Sequence, residues 1–110
     1  EALADYQAIL GLLSEYSAQG KVSMGPLFST RILHATAMIY CATLIMDQGL
    51  LAASKLDELG EDHFDANFYK GKVASARFYV LNVLPDIFSI RKAFAAGDTT
   101  AIDICEEALG

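Results

Sequence analysis

The chain has 110 residues, 54% of them hydrophobic and 20% charged, and its 14 acidic residues outnumber its 8 basic residues to give a net charge of -6. A chain of this length is expected to form a single domain, residues 1–110, that buries about two thirds of the surface exposed by its unfolded form. An acidic surface repels phosphate backbones and anionic lipid headgroups, so we expect no nucleic acid partner.

Cysteine usage and hydropathy favour a cytoplasmic protein. Cys41 and Cys105 each lie in an apolar helical pattern without a second ligand at metal-binding spacing, so both are predicted to be small core residues in a reducing compartment. The longest uncharged run, Ile32 to Met46, is shorter than the about 20 apolar residues of a membrane span. It therefore predicts a buried helix and no membrane span. The sequence opens on Glu1 without a signal-peptide pattern, as expected of a processed terminus or of a piece of a longer protein.

Apolar residues at helical spacing predict the first two helices. The first spans about Ala2 to Ala18, with Gly20 just beyond it as a left-handed cap. The second begins just after Pro26 and runs to about Leu59. Its apolar stripe advances in steps of four and three and contains small residues that allow a partner helix to approach closely. This stripe consists of Phe28, Ile32, Ala35, Ile39, Ala42, Met46, Gly49, Ala53 and Leu56.

A third long helix is predicted from about residue 64 or 65 through Ala96. Apolar spacing continues in phase beyond Pro85, which favours a kinked continuous helix over one that ends at the proline. Asp98 is the predicted N-cap of a short last helix, Thr99 to Leu109. No segment alternates apolar and polar residues as a strand does. The predicted fold class is therefore all-α, an antiparallel helical bundle of three long helices plus a short C-terminal helix.

The short turn from Gly60 to His63 predicts that the second and third helices form an antiparallel hairpin, in which paired positions sum to roughly 124. In this register the small residues of one stripe meet the branched residues of the other. The expected pairs are Ala42 with Val80 and Val83, and Gly49 with Val73 and Ala76.

The same register places Asp47 opposite Arg77. Since each charge interrupts apolar neighbours, we hypothesise that the two form a partly buried ion pair. The middle of the third helix is apolar on most sides, which predicts that it packs against a second surface as well as its hairpin partner. The residues expected to make packing or interface contacts are Ala42, Gly49, Phe78, Leu81, Val83 and Ile87.

The chain offers no constellation for catalysis or metal binding. Acidic residues between Asp57 and Asp65 lack the order of an EF-hand loop and are better explained as a solvated turn. Neither His34 nor His63 has a glutamate three residues earlier, as di-iron bundles require. No nucleophile and carboxylate converge on His34 at helical spacing. We therefore predict no catalytic, cofactor-binding or metal-binding residue in this chain.

The run from Phe68 to Pro85, FYKGKVASARFYVLNVLP, resembles a family signature, F-Y-x-G-K-x-x-x-A-R-F-Y…V-L-P. This signature belongs to the C-terminal helical extension domain of one branch of the acyl-CoA dehydrogenases. Outside this run the resemblance is one of helix order and length, with a terminal pair at Glu106 and Glu107. The chain departs from the family at Ile104 and Cys105, close to which the family has an aromatic residue and a proline.

The resemblance implies that residues 1–110 are a C-terminal fragment of a longer enzyme that oxidises acyl-CoA to 2-enoyl-CoA. In that family FAD takes the hydride and a glutamate acts as the base, and both belong to preceding domains whose motifs match no position here. No cofactor is therefore expected in this fragment, although FAD is implied for the parent. The implied partners are the preceding catalytic domains of the same chain and a second copy in a homo-oligomer.

Two other interpretations stay open. One is a free-standing dimeric helical module that binds proteins and has no enzymatic role. The other is a pocket for a lipid or acyl chain between the helices, although residues at helical spacing more commonly form a core. Such a pocket would be lined by Met38, Ile39, Phe78 and Phe88.

Overall fold

The computed structural model describes all residues from Glu1 to Gly110, and all of its regular elements are helical. In chain order they are α1 (Ala2–Ala18), α2 (Met24–Leu59), α3 (Ala66–Phe78), a π-helical turn (Tyr79–Val83), α4 (Asp86–Ala96), α5 (Thr100–Asp103) and a 3-10 turn (Glu106–Leu109). The all-α class is confirmed. The third predicted long helix corresponds to α3, the π-helical turn and α4 together.

Helix α2 is the central helix of the molecule. Its 36 residues span about 54 Å at the helical rise, and every other long helix packs against it. Helices α1 and α4 cover its N-terminal half, while α3 runs along its C-terminal half. The result is an elongated layer of 66 × 34 × 16 Å with a radius of gyration of 19.8 Å. A compact domain of this length has a radius of gyration of about 13 Å, so this fold leaves much of its surface uncovered.

The buried core lies at the end of the layer where three helices meet. Phe94 of α4 packs edge-on against Tyr16 of α1, with ring centroids 5.1 Å apart, and lies 4.8 Å from the ring of Phe28 on α2. The Tyr16 hydroxyl donates a hydrogen bond of 2.6 Å to the Phe94 carbonyl at the end of α4, which also accepts one of 3.2 Å from the Gly97 N–H. The core residues are Ile9, Tyr16, Met24, Phe28, Ala35, Ala42, Leu84, Ile87 and Phe94.

An ion pair also joins α1 to α4. Arg91 Nε on α4 donates to Asp5 Oδ1 on α1 at 2.7 Å, joining residues that are 86 positions apart in the sequence. The Arg91 guanidinium also lies over the ring of Phe88, 4.9 Å from its centroid. Polar and apolar contacts therefore both hold α1 against α4.

The ends of the long helices follow the sequence closely. Helix α1 has the predicted limits, and Gly20 follows it with a φ of 77°, a conformation that glycine adopts without steric cost. Helix α2 begins at Met24 and not after Pro26, so the predicted start was three residues late. The proline lies in the first turn of α2, where no N–H is needed for a helical hydrogen bond.

The chain stays helical through Pro85, as predicted, but it changes its hydrogen bonding one turn earlier. Tyr79, Leu84 and Pro85 all have right-handed helical backbone angles. The Leu84 N–H bonds at 3.0 Å to the Tyr79 carbonyl five residues before it, which defines a π-helical turn. Pro85 has no N–H to offer to the Leu81 carbonyl, and the wider turn lies next to this missing bond.

The short last helix is broken into two single turns. Thr99, and not Asp98, is the N-cap of α5, and Ile104 and Cys105 are extended before the 3-10 turn. All residues from Thr100 onward are exposed. A segment this short is marginal as a helix without an apolar face packed on a neighbour, so the predicted continuous helix from Thr99 to Leu109 does not form.

Burial of single residues departs from the prediction. Cys41 and Cys105 are both exposed, because Cys41 lies on a side of α2 that no helix covers and Cys105 lies in the exposed C-terminal segment. The run from Ile32 to Met46 is helical, but Ala35 and Ala42 are its only buried residues. The prediction of a buried helix there was wrong for the outward-facing residues.

Two helical stretches have the length and hydropathy of a membrane-spanning helix. They are Met24–Leu59 and Ala66–Ala96, of which 22% and 6% of the most apolar window is buried. Length and composition alone are weak grounds for a span, because core helices of soluble proteins have the same properties. The absence of a membrane span therefore stays a prediction from the sequence.

Candidate interaction surface

The hairpin of α2 and α3 is closely packed at one point. A Cβ atom added to Gly49 would lie 2.7 Å from the Cβ of Ala76, so the two helices approach as the register predicts for these residues. One turn away, Lys72 Nζ donates to Gln48 Oε1 at 3.3 Å. At the other end of the hairpin the Tyr79 hydroxyl donates to the Met38 carbonyl at 3.2 Å. Small side chains thus let the two backbones come together.

An apolar groove runs beside this contact, between α2 and α3. It encloses about 460 Å³, and Arg77 is the only charged residue among the nine that line it. Leu50 on its edge keeps 68% of its surface exposed. We call this the α2–α3 groove, and its lining residues are Met46, Gly49, Leu50, Ala53, Val73, Ala76, Arg77, Val80 and Leu81.

A second hollow continues the α2–α3 groove towards α1. The two share Met46, Val80 and Leu81, and the second encloses about 870 Å³. Its far wall consists of the first residues of the chain, from Glu1 to Asp5, and of α4 at Phe88. The apolar surface is therefore continuous from the middle of α3 to the start of α1.

The outer side of α2 carries a second apolar surface, which we call the outer seam. Its residues are Leu33, Ala37, Tyr40, Leu44 and Leu51, all of them exposed. They advance in steps of four, three, four and seven, which keeps them on one side of a helix. At 100° per residue this side lies opposite Ala35, Ala42 and Gly49, which face into the molecule.

The accessible surface is larger than that of a compact monomer of the same mass. The accessible area is 7554 Å², whereas a compact monomer of 11.9 kDa exposes about 5,900 Å². The excess of about 1,600 Å² is about twice the area that one partner contributes to a standard protein–protein interface. Apolar side chains contribute much of the exposed area through the outer seam and the grooves, so these surfaces are candidates for contact with other polypeptide.

The six residues predicted for packing or interface contacts fall into two groups. Ala42 and Ile87 belong to the buried core, Gly49 is buried in the hairpin, and Val83 is half-buried. Phe78 and Leu81 instead keep 62% and 59% of their surfaces exposed. Whether either of them contacts a partner stays a prediction.

The ion pair predicted between Asp47 and Arg77 is not formed. The ion pairs of the structure join Lys55 to Glu58 and Asp5 to Arg91. Asp47 and Arg77 are both exposed, and Arg77 borders the α2–α3 groove. Two exposed charges are well solvated separately, and an exposed pair contributes only about 0–1 kcal/mol. Pairing would therefore stabilise the fold very little.

The histidines are placed apart from any nucleophile or metal-ligand cluster. His34 is exposed on α2. His63 Nδ1 accepts a hydrogen bond of 3.1 Å from the Asp65 N–H and its ring stacks on Phe64, which fixes the turn before α3. No three residues among His, Cys, Asp and Glu come together as a metal site would require.

One titratable side chain is perturbed by its surroundings. Partial burial raises the pKa of the Tyr79 hydroxyl above its ordinary value of 10.0, and the charge of the nearby Cys41 thiolate raises that pKa further. The hydroxyl already donates to the Met38 carbonyl, so its neutral form is the one that the fold uses. The raised pKa of Tyr79 is a consequence of helix packing, because apart from Cys41 the ionisable groups named above lie elsewhere in the structure.

Known proteins are similar to this chain over almost its whole length. Residues 1–105 match the model of the family described as acetyl-CoA dehydrogenase C-terminal like. Two butyryl-CoA dehydrogenases of Syntrophomonas wolfei are similar, at 51% identity over 109 residues and 53% over 108 residues, covering 99% and 98% of this chain. A broad-specificity linear acyl-CoA dehydrogenase of Mycobacterium tuberculosis is 28% identical over 113 residues, covering 98% of this chain.

The chain spans only 18% of the length of each of these relatives. No solved structure matches it at a comparable level of significance. The family match covers the Phe68 to Pro85 signature together with all of the long helices. The chain therefore belongs to the acetyl-CoA dehydrogenase C-terminal-like family.

Proposed function

We propose that this chain is the non-catalytic C-terminal domain of a longer FAD-dependent acyl-CoA dehydrogenase, and that it joins the parent's catalytic domains or subunits through its outer seam. The observation that carries the proposal is the seam itself. Leu33, Tyr40 and Leu51 are each more than 60% exposed, yet they form one apolar row on the longest helix. An exposed row of this kind is characteristic of a surface that a partner covers.

The chain's own residues do not fit a flavin. FAD carries a pyrophosphate and a polar ring edge, which require several hydrogen-bond donors or a glycine-rich helix start. The α2–α3 groove offers one charged side chain, Arg77, among aliphatic walls. We therefore place FAD and the oxidation of acyl-CoA in the parts of the parent outside residues 1–110, and we derive no catalytic step from this domain.

The relatives' names give the first substrate to assay in the parent. Two of them are butyryl-CoA dehydrogenases and a third acts on linear acyl-CoA more broadly. We propose a linear acyl-CoA substrate, with butyryl-CoA as the first choice. A reducing compartment such as the cytoplasm is part of the proposal, since Cys41 and Cys105 are both free and exposed.

The test uses the full-length parent. Leu51→Arg places a charge in the outer seam, and Val22→Arg is the matched control, since Val22 is 76% exposed in the connection between α1 and α2. We expect Leu51→Arg to shift the sedimenting species to a smaller mass or to lower the Tm by several degrees, whereas Val22→Arg changes neither. Equal behaviour of the two variants would argue against the outer seam as a contact surface.

A free-standing dimeric module is the competing function, and the outer seam favours it as well, because two such rows on antiparallel helices can meet each other. Sedimentation of the 110-residue chain by itself separates the two functions. A concentration-dependent dimer that Leu51→Arg abolishes would favour the module. A monomer that associates only as part of the parent would favour the accessory domain.

A further inference from the structure

Helix α1 covers only half of one continuous face of α2. Thr36, Ile39, Thr43, Met46, Leu50 and Ala53 advance in alternating steps of three and four, which places them in a single row along α2. The Tyr6 hydroxyl of α1 lies 2.8 Å from the Thr36 hydroxyl at one end of the row. Leu50 and Ala53, at the other end, line the α2–α3 groove, and Leu50 keeps 68% of its surface exposed.

The start of α1 lies where this covered half ends. Since α1 and α2 are antiparallel and Tyr6 pairs with Thr36, the register places Glu1 at the same level along α2 as Cys41. The hollow at this point is bordered by Glu1 and Ala2 from α1 and by Thr43 and Met46 from α2. Helix α2 continues for 18 residues beyond Cys41, a length of about 27 Å. The row and the groove both lie along that length.

We infer that the residues immediately preceding Glu1 in the full-length protein extend α1 and lie in the α2–α3 groove. The inference rests on the proposal that this chain is part of a longer protein, and it is supported by the relatives, of which the chain spans 18%. It is independent of what the outer seam contacts. The occupant is a segment of the same polypeptide, because Glu1 borders the second hollow and that hollow opens into the α2–α3 groove through their shared residues.

An apolar helix face is the kind of surface that fits the α2–α3 groove. Its walls are aliphatic, so burying apolar side chains there is favourable. The inward positions of α1 are in phase with Ala2, Ile9 and Tyr16, spaced seven apart. Continuing that spacing predicts apolar residues about six and about thirteen positions before Glu1. The residue about eight positions before Glu1 lies opposite Gly49.

Cysteine cross-linking in the full-length protein tests this placement. Cys41, Cys105 and all other cysteines of the protein are replaced by serine, and Leu50→Cys is combined with single cysteines about seven to eleven positions before Glu1. Leu51→Cys is the matched control, because it is the next residue along α2 but points to the outer seam. We expect rapid disulfide formation within one chain for Leu50→Cys, with helical periodicity in the upstream position, and none for Leu51→Cys.

The other outcomes separate this inference from the proposed function. Cross-links from Leu50→Cys to catalytic-domain positions, found by mass spectrometry with a cysteine-reactive bifunctional reagent, would overturn the inference and leave the accessory role intact. Disulfides between two chains would overturn it in favour of a second copy in the groove. The absence of any cross-link between Leu50→Cys and the upstream positions would also overturn it.

Discussion

Gly49 of α2 faces Ala76 of α3 with no space for a methyl group between them, since a Cβ at position 49 would lie 2.7 Å from the Ala76 Cβ. Real Cβ atoms do not come this close, so the hairpin depends on the missing side chain. Gly49 costs α2 about 1 kcal/mol in helix propensity relative to alanine. The close approach of the two helices is therefore obtained at the expense of local helix stability.

We predict that Gly49→Ala lowers the free energy of unfolding by about 1–2 kcal/mol, because overpacking costs more than the gain in helix propensity. Gly71→Ala is the control, as a Cβ there meets nothing within 4 Å, and it should raise the free energy of unfolding by about 0.5–1 kcal/mol. Urea denaturation measures both. Two stabilising substitutions of equal size would show that α2 and α3 do not pack closely at position 49.

A second prediction concerns the hydroxyl of Tyr16, which donates to the Phe94 carbonyl at 2.6 Å in the buried core. Tyr16→Phe keeps the edge-on contact with the Phe94 ring but removes the shorter of the two hydrogen bonds that this carbonyl accepts, the other coming from the Gly97 N–H at 3.2 Å. We expect a loss of about 0.5–1.5 kcal/mol in the free energy of unfolding. Tyr40→Phe is the control, because Tyr40 is 65% exposed, and it should change stability by less than about 0.5 kcal/mol. Equal effects would contradict this role of Tyr16.

Local features of the fold were predictable from the sequence, and burial was not. Apolar spacing and Gly20 define α1, and the short turn after α2 specifies the register that brings Gly49 to Ala76. A helical stripe identifies apolar residues but does not show whether the same chain supplies a helix to cover them. For this reason Cys41 and Leu33 were expected inside and lie exposed.

Contacts between distant segments escaped prediction for a related reason. Asp5 and Arg91 meet only because α4 turns against α1 beyond the π-helical turn, and neither residue carries a local signal for that. Pro85 did signal a disturbance, but the change in hydrogen bonding extends back to Tyr79, where the sequence has no breaker. The C-terminal segment from Thr100 onward has helix-forming residues, yet it is exposed and packs on no neighbouring surface.

A third prediction follows from the raised pKa of Tyr79. In the unfolded chain this hydroxyl ionises near its ordinary pKa of 10.0, whereas in the folded chain partial burial, and secondarily the Cys41 thiolate, keep it neutral to higher pH. The unfolded state therefore loses its proton first, and the free energy of unfolding should fall as the pH rises above about 10. Its contribution is fully present below that pH.

The measurement is urea denaturation at several pH values from about 9 to about 11, with tyrosinate absorbance followed in parallel. Tyr79→Phe should make the decline in stability shallower, and Tyr40→Phe, which removes an exposed hydroxyl, should leave it unchanged. A decline of the same slope in all three proteins would assign the effect to other groups.

A fourth prediction concerns the ion pair of Asp5 and Arg91, whose side chains keep 20% and 34% of their surfaces exposed. Partial burial reduces screening and the 2.7 Å geometry is that of a charge-assisted hydrogen bond, so a double-mutant cycle with Asp5→Ala and Arg91→Ala should give a coupling of about 0.5–1 kcal/mol. The cycle is needed because Arg91→Ala alone also removes the contact with the Phe88 ring. Lys55 and Glu58, 3.8 Å apart and more exposed, serve as the control pair with a coupling near zero. If the coupling between Asp5 and Arg91 were no larger than that of the control, α1 would be held against α4 by the contacts of the core and not by this ion pair.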